Sequence, residues 1–411
     1  MKKINYLVIL LFSGLWAPVC ALGLFGNDVG VGVRAFSFAG NHTAVANDLS
    51  AAYWNPAALA FLPVREFQVS FDGGRTYLTS DVSGPYISGI QVNDYKDRIR
   101  LGSIGVMSAL PTVQGGLTLA ALYESPYTFD NFFNYEYKWN ESIMKGEGAA
   151  YGGLNNWSGS FGVQVANGLA AGATVSLITG TERAAFSEVD LEDSNSPYEL
   201  DQEWEYKYMG FGLRAGLLYK PMEFLKLGMQ ISAPQNLRFK EREVDNGKVS
   251  NDNGRVYRAP SGALGAGIKL PWMIIAVDGR FTMPYTFILP SEKIPRSSQA
   301  KYFKLGGGIG LEVPLSMVPV VLRGGYSYDE YDLFSRVLKY DDETVDWSQH
   351  YSIDKNRHTV TAGVGFFTSG TGLEFSYGYQ TWALTYNPSP YYTEKQNYSA
   401  HRMAVAFIVR Y

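Results

Sequence analysis

Residues able to do chemistry are few in this chain and badly spaced for it. The four histidines, His42, His350, His358 and His401, share no element on which they could converge on a metal. Cys20 is the only cysteine. It lies in an N-terminal stretch expected to be removed, so thiolate nucleophiles, thiolate metal sites and disulfides are not expected. Gly30-x-Gly32-x-x-Ala35 mimics a phosphate-cradling loop, but no strand pattern precedes it and no βαβ unit follows. Neither Gly-x-Ser-x-Gly nor a P-loop occurs. His350 and His358 flank Asp354 and offer, at most, a lipid hydrolase at the rim of a scaffold. The acidic stretches 190–205 and 341–346 read as solvated loops rather than cation sites. An enzyme, a cofactor and a metal are therefore not expected, and a formal net charge of −4 gives no reason to expect nucleic acid.

What remains is a set of charges and backbone-satisfying groups in one irregular segment. Between Gly32 and Leu62 the chain is Ala-rich and follows neither a helical nor a strand period. Pro56 lacks an N–H and disfavours helix at Asn55, so the chain turns there. Asn55 can cap or bridge backbone groups that the turn leaves free. Arg34 and Asp48 are the charges that such a segment would have to neutralise if it were buried.

The elements that would bury it follow from a period of two along the rest of the chain. Met209, Phe211, Leu213, Ala215 and Leu217 alternate with Gly210, Gly212, Arg214 and Gly216. Phe303, Leu305, Ile309 and Leu311 alternate with Lys304, Gly306, Gly308, Gly310 and Glu312. About fourteen such runs are separated alternately by short turns, as at Asn167-Gly168, and by long polar stretches at 73–97, 125–156, 189–202, 241–254, 289–300, 335–355 and 387–398. This is the pattern of an all-β, antiparallel transmembrane barrel of an outer membrane, with short periplasmic turns and longer external loops. The 29 Tyr, the 44 Gly and the charged fraction of only 18% suit such a wall better than a soluble domain. Met403, Val405, Phe407, Val409 and the terminal Tyr411 form a last apolar face, suited both to closing the barrel and to reading by barrel-assembly machinery.

Domain limits follow. Lys2-Lys3, an apolar run over Ile4–Trp16, and Val19-Cys20-Ala21 read as a secretory signal at 1–21. A lipoprotein reading of Cys20 fits Ala17-Pro18-Val19 poorly. The irregular segment, 22–63, is expected to fold inside the barrel, 64–411, as a plug. Inside, Asp278, Arg280, Arg323 and Glu374 are the lumen charges available to pair with Arg34 and Asp48. The new N-terminus, with Leu22, Leu24 and Phe25, is apolar enough to occupy a pocket above the plug.

One resemblance is specific. Gly32-x-Arg34-Ala35, then Ala46-Asn47-Asp48, then Tyr53-Trp54-Asn55-Pro56-Ala57-Ala58-Leu59 resembles the N-terminal hatch of the FadL outer-membrane family. Weaker echoes at Leu110-Pro111, Leu227-Gly228 and Ala233-Pro234 extend it over nearly the whole chain. The resemblance implies a channel for long-chain fatty acids or other hydrophobic molecules, gated by the hatch, with cargo leaving sideways into the bilayer. Gly32, Arg34, Asp48, Trp54, Asn55, Pro56 and Ala57 would then be hatch and gating residues. Asn47 stands where many relatives carry a second acidic residue, so a paired-carboxylate role does not transfer. Partners would be a hydrophobic ligand and outer-membrane lipid. An alternative within the same architecture is a docking or carrier component of a secretion system, for which the aromatic stretch Tyr127–Trp139 offers a surface.

Overall fold

A computed structural model describes residues 27–28, 30–85, 87–139, 142–190, 199–283, 303–330, 336–340, 344–345, 351–389 and 392–411. Fourteen strands close a ring. They are β1 (Arg65–Gly84), β2 (Val92–Leu110), β3 (Leu117–Thr128), β4 (Ser142–Ala166), β5 (Leu169–Asp190), β6 (Glu199–Met222) and β7 (Leu225–Ser232), followed by β8 (Ser261–Lys269), β9 (Ile274–Thr282), β10 (Lys304–Leu315), β11 (Val320–Asp329), β12 (Tyr351–Phe367), β13 (Thr371–Ser389) and β14 (Tyr392–Arg410). Each pairs antiparallel with its sequence neighbours in the ring. The ring is sealed where β14 pairs with β1 from Glu66↔Arg410 to Ser83↔Thr393. Reciprocal bonds between Arg65 and Tyr411 finish the seam. Closing the ring removes all but a short length of free strand edge, which is the condition for β-structure in a bilayer.

The period of two sorts the side chains. Phe211, Leu213, Leu264, Val360, Phe375 and Met403 stand exposed on the outside, some of them more than half accessible. A belt of this kind is untenable in water and natural in lipid. At its outer margin sit Tyr77, Tyr95, Tyr326, Tyr377 and Tyr379, with His358 and His401 hydrogen-bonded to Tyr326 and Tyr377.

The external connections depart from expectation. Much of 73–97, 125–156, 241–254 and 387–398, expected as solvated loops, continues as strand. Two further hairpin arms, Gln235–Asp245 with Lys248–Arg258 and Asn131–Trp139 with β4, extend the wall upward. The reason lies in the change of solvent. Above the bilayer the outer face turns polar, as in Thr79 and Asp81, while the inner face stays buried, as in Leu78 and Val82. Such strands read as polar stretches although their inner faces build an aromatic core of Phe133, Tyr135, Phe186, Trp204, Tyr206 and Tyr386.

The N-terminal segment holds two short helices, α1 (Val33–Ser37) and α2 (Ala51–Trp54), and a 3-10 turn, η1 (Pro56–Phe61). It is buried along almost its whole length and contacts β4, β5, β6, β12 and β13, so it lies inside the ring.

Candidate functional site

The segment fits because the wall makes room for it. A Cβ added to inward-facing Gly162 or Gly172 would overlap the Pro56 backbone, and one on Gly216 the Asn55 side chain. On the opposite wall, Gly310 and Gly325 would overlap Phe38, Gly363 Ser37 and Gly378 Phe36. The glycines that alternate with apolar residues in the sequence therefore form a cradle of bare backbone.

Within the segment each turn has a local cause. Gly32 precedes α1 at φ 89°, and a Cβ there would fall 2.7 Å from that of Ser50, so a side chain is excluded twice over. Asn55 is extended (φ −163°) and caps η1, accepting from Ala57 N at 3.2 Å, with Pro56 in the first-turn position where a missing N–H costs nothing. Its Nδ2 donates to Thr43 O at 2.9 Å and to Leu217 O of β6 at 3.0 Å. One side chain thus ties two parts of the segment to the wall. Ala57 has no exposure at all. Trp54 donates to Val31 O at 2.7 Å and lies against Gly30 and Gly40.

Arg34 is held differently from the expected pattern. Its Nε and Nη2 donate to Glu312 of β10 at 2.8 and 3.1 Å, and its Nη1 to Val45 O at 2.8 Å. Glu312 also accepts from Arg323 Nε of β11 at 2.7 Å. Arg323 Nη1 lies 2.8 Å from Glu374 of β13, close as an ion pair but poorly aligned as a hydrogen bond. Charge therefore alternates along Arg34–Glu312–Arg323–Glu374, a line at most 10% exposed. Removing one member of such a line strands its neighbour in a dry interior.

Asp48, expected to pair with a wall charge, instead accepts from the backbone and hydroxyl of Ser50. A wall carboxylate already serves its neighbour: Glu66 of β1 accepts from Leu49 N at 2.8 Å and pairs with Arg410 of β14 at 2.6 Å. Arg410 reaches Asn47 O at 3.3 Å, so the segment is clamped across the barrel seam. Asp278 accepts from Thr43 N at 2.8 Å. Arg280 donates to Gly40 O at 3.1 Å and pairs with Asp329 at 3.0 Å. Burial, aided by the nearby Arg34 cation, pushes the His42 imidazole down to about 3 and keeps it neutral. Glu312, Glu66 and Arg410 were missed as segment contacts. Their signal was a charge on the inward phase of an otherwise small-residue face.

The wall is not uniform. β2 and β3 pair from Leu110↔Leu117 up to Ser103↔Glu124 and no further. Beyond that point β3 loses its alternation, with Glu124–Phe129 all buried, and its register against β4 shifts between Glu124 and Tyr127. Tyr127 and Thr128 pair instead with Asp28 and Asn27. The gap is spanned by side chains: Arg100 donates to Ser125 Oγ at 3.1 Å, and Arg98 to Thr128 and Asp130. Ile99, 87% exposed, gives the lower part of the gap an apolar outer face, and the exposed Arg75–Asp97 pair lies just above it. Gly115-Gly116 is not at this gap; it forms the turn before β3, where a Cβ on Gly116 would overlap Ala60 O.

Above the segment lies a cavity of about 280 Å³, floored by Phe36, Gly40, Tyr53 and Trp54. Leu22, Leu24 and Phe25, expected near such a pocket, and the stretch 1–21 lie outside the described residues. So does His350; His358 faces outward onto Tyr326 while Asp354 accepts from Thr385, so these two make no dyad. Among the described residues no cluster suited to a metal ion occurs.

A sealed barrel with an apolar belt, its lumen filled by its own N-terminal segment, defines a class: a transmembrane β-barrel with an internal plug. More particularly, the fold is that of the FadL proteins. The chain aligns with a Pseudomonas aeruginosa FadL homologue at TM-score 0.62 and 13% identity, over 93% of this chain and 98% of the other. It aligns with the P. putida toluene transporter TodX at TM-score 0.61 and 14% identity, over 94% and 99%. For the Ralstonia pickettii toluene transporter TbuX the values are 0.55 and 13%, over 94% and 99%. No protein-family model and no curated protein matches the sequence.

Proposed function

We propose that this protein is a FadL-type outer-membrane uptake channel for hydrophobic or amphipathic small molecules, with residues 22–63 as its hatch. The observation that carries the reading is the unpaired stretch of wall between β2 and β3, beside the cavity floor and with an apolar outer face in its lower part. A watertight barrel has no use for a gap bridged by the side chains of Arg98 and Arg100 and by a two-residue pairing of Asn27-Asp28 with β3. A channel whose cargo avoids water does: ligand enters from outside, rests above the hatch, and leaves sideways when those side-chain contacts part. The solved structures of similar fold are described as toluene or monoaromatic hydrocarbon channels, which supports a channel rather than an enzyme.

The test is a lock. Cysteines replacing Arg98 and Asp130, joined by a short bifunctional thiol reagent, should abolish uptake of apolar solutes while leaving ligand binding intact. Uptake equal to that of the unlinked protein would refute the lateral route. Deleting residues 32–62 should let small polar solutes through the barrel; unchanged permeability would mean that the segment is no plug.

A further inference from the structure

The cavity above the hatch is unlike a hydrocarbon pocket. Its lining includes six basic side chains, Arg214, Arg258, Arg280, Lys304, Arg357 and Arg402, against two acidic ones, Asp329 and Glu330. They come from seven different stretches of wall, so no single strand carries the charge. Local neutralisation is partial. Arg280 is matched by Asp329 at 3.0 Å. Arg402 approaches Asp72 only to 3.8 Å, and Asp72 is already held by Arg100 at 2.7 Å. Arg214 donates to Ser232 at 3.1 Å and feels the buried Glu124 of β3 at longer range, while Arg258 donates to Gln235 at 2.9 Å, a neutral acceptor.

The same arginines lie on aromatic faces. Arg214 stands 4.0 Å over the Tyr53 ring, Arg258 4.7 Å over Tyr127 and Arg402 5.2 Å over Phe36. A guanidinium on a ring is fixed in plane, keeps its outer N–H edge for a planar oxyanion, and extends a flat surface on which another ring can lie. At about 280 Å³ the cavity is at the small end of ligand pockets, which run roughly 300–1,000 Å³. Above it the barrel mouth carries the buried aromatic core. The space suits one ring and a short substituent.

We infer that the cavity is a binding site for small aromatic carboxylates, the carboxylate meeting the edges of Arg214 and Arg258 and the ring lying among Phe36, Tyr53 and Tyr127. This rests on the channel reading and narrows it. A neutral ring would cover the guanidiniums without bringing them a counter-charge, whereas a site built around charged hydrogen bonds strongly disfavours an analogue that lacks the charge.

Equilibrium dialysis of the full-length protein in detergent, with labelled benzoate, benzamide, toluene and palmitate, tests it. Benzoate should bind saturably, at least ~10-fold tighter than its neutral isostere benzamide, and more weakly as salt rises. The double variant Arg214→Gln, Arg258→Gln should lose ~10-fold or more in benzoate affinity while still migrating differently in SDS gels before and after boiling, as a folded barrel does. Should that variant fail to fold, the benzoate–benzamide ratio on the unaltered protein decides alone. Equal binding of benzamide, or tighter binding of toluene or palmitate, overturns the aromatic-acid site and leaves the channel reading standing. If no compound of the four binds and none enters proteoliposomes, the channel reading falls with it.

Discussion

Replacing Asn55 by Ala should loosen the hatch without loosening the barrel. Three hydrogen bonds depend on this side chain: the η1 cap at Ala57 N, and the donations to Thr43 O and Leu217 O. A lost cap costs about 1 kcal/mol, and each further buried bond about 1 kcal/mol net, so local docking should weaken by about 3 kcal/mol. At 1.4 kcal/mol per factor of ten, that is a ~150-fold rise in the population of the released segment. Hydrogen exchange read by mass spectrometry separates the two parts. Peptides within 42–62 should exchange up to ~150-fold faster, while those of β5 and β6 keep their rates. Asn55→Asp divides the causes further: it keeps the cap acceptor but turns a carboxylate oxygen toward two carbonyls with no counter-ion. Its effect should equal or exceed that of Ala. If both variants leave residues 42–62 within threefold of the parent, or if the wall accelerates equally, the claim that this residue pins the segment is wrong.

Other consequences follow from the same structure. Arg34→Met should weaken hatch docking by about 3 kcal/mol, less when Glu312→Gln is present too, since the buried line then loses one charge of each sign instead of keeping a carboxylate matched by Arg323 alone; the same exchange experiment reads it. Gly216→Ala should mimic Asn55→Ala, because the new methyl takes the place of Oδ1; unaltered exchange would show that the approach is not tight. His42 is neutral when buried, with its pKa lowered from 6.5 to about 3, so docking is fully stable above about pH 6.5 and weakens as pH falls toward 3. Channel noise in planar bilayers should rise over that window and do so less in His42→Asn; Arg34, Asp48, Glu312 and Arg323 are the charges that surround it. A cysteine at Asn251 should react with an impermeant reagent on intact cells, and one at Asn167 only after the outer membrane is opened. The reverse pattern would invert the barrel.

The strand number and the cradle were legible because both are written locally. An alternation such as Phe211-Gly212-Leu213-Arg214 states at once which face meets lipid and which meets the segment. The turn at Asn55-Pro56 is likewise a property of adjacent residues. What was not legible is set by the ring. The outer halves of the strands hid because water, not lipid, faces them there. Glu312 became the partner of Arg34 only through the barrel's stagger, which no single strand reveals. Arg214, Arg258 and Arg402 are far apart in sequence and share a level only after closure. The break at β3 left one faint mark, Ser125-Pro126 interrupting an apolar run, since proline cannot donate to a ladder.

If the barrel is a channel, the length of its wall sets where capture begins. β4 has 25 residues; at about 3.3 Å each and a tilt near 45°, it rises ~58 Å, against an apolar band of about 25 Å. The mouth therefore stands ~30 Å clear of the hydrocarbon. In an outer membrane that height is occupied by a hydrated carbohydrate coat, which an oily molecule crosses poorly. On the channel reading, a barrel of this height would act as a snorkel, taking up its cargo high in the sugar layer and delivering it beneath.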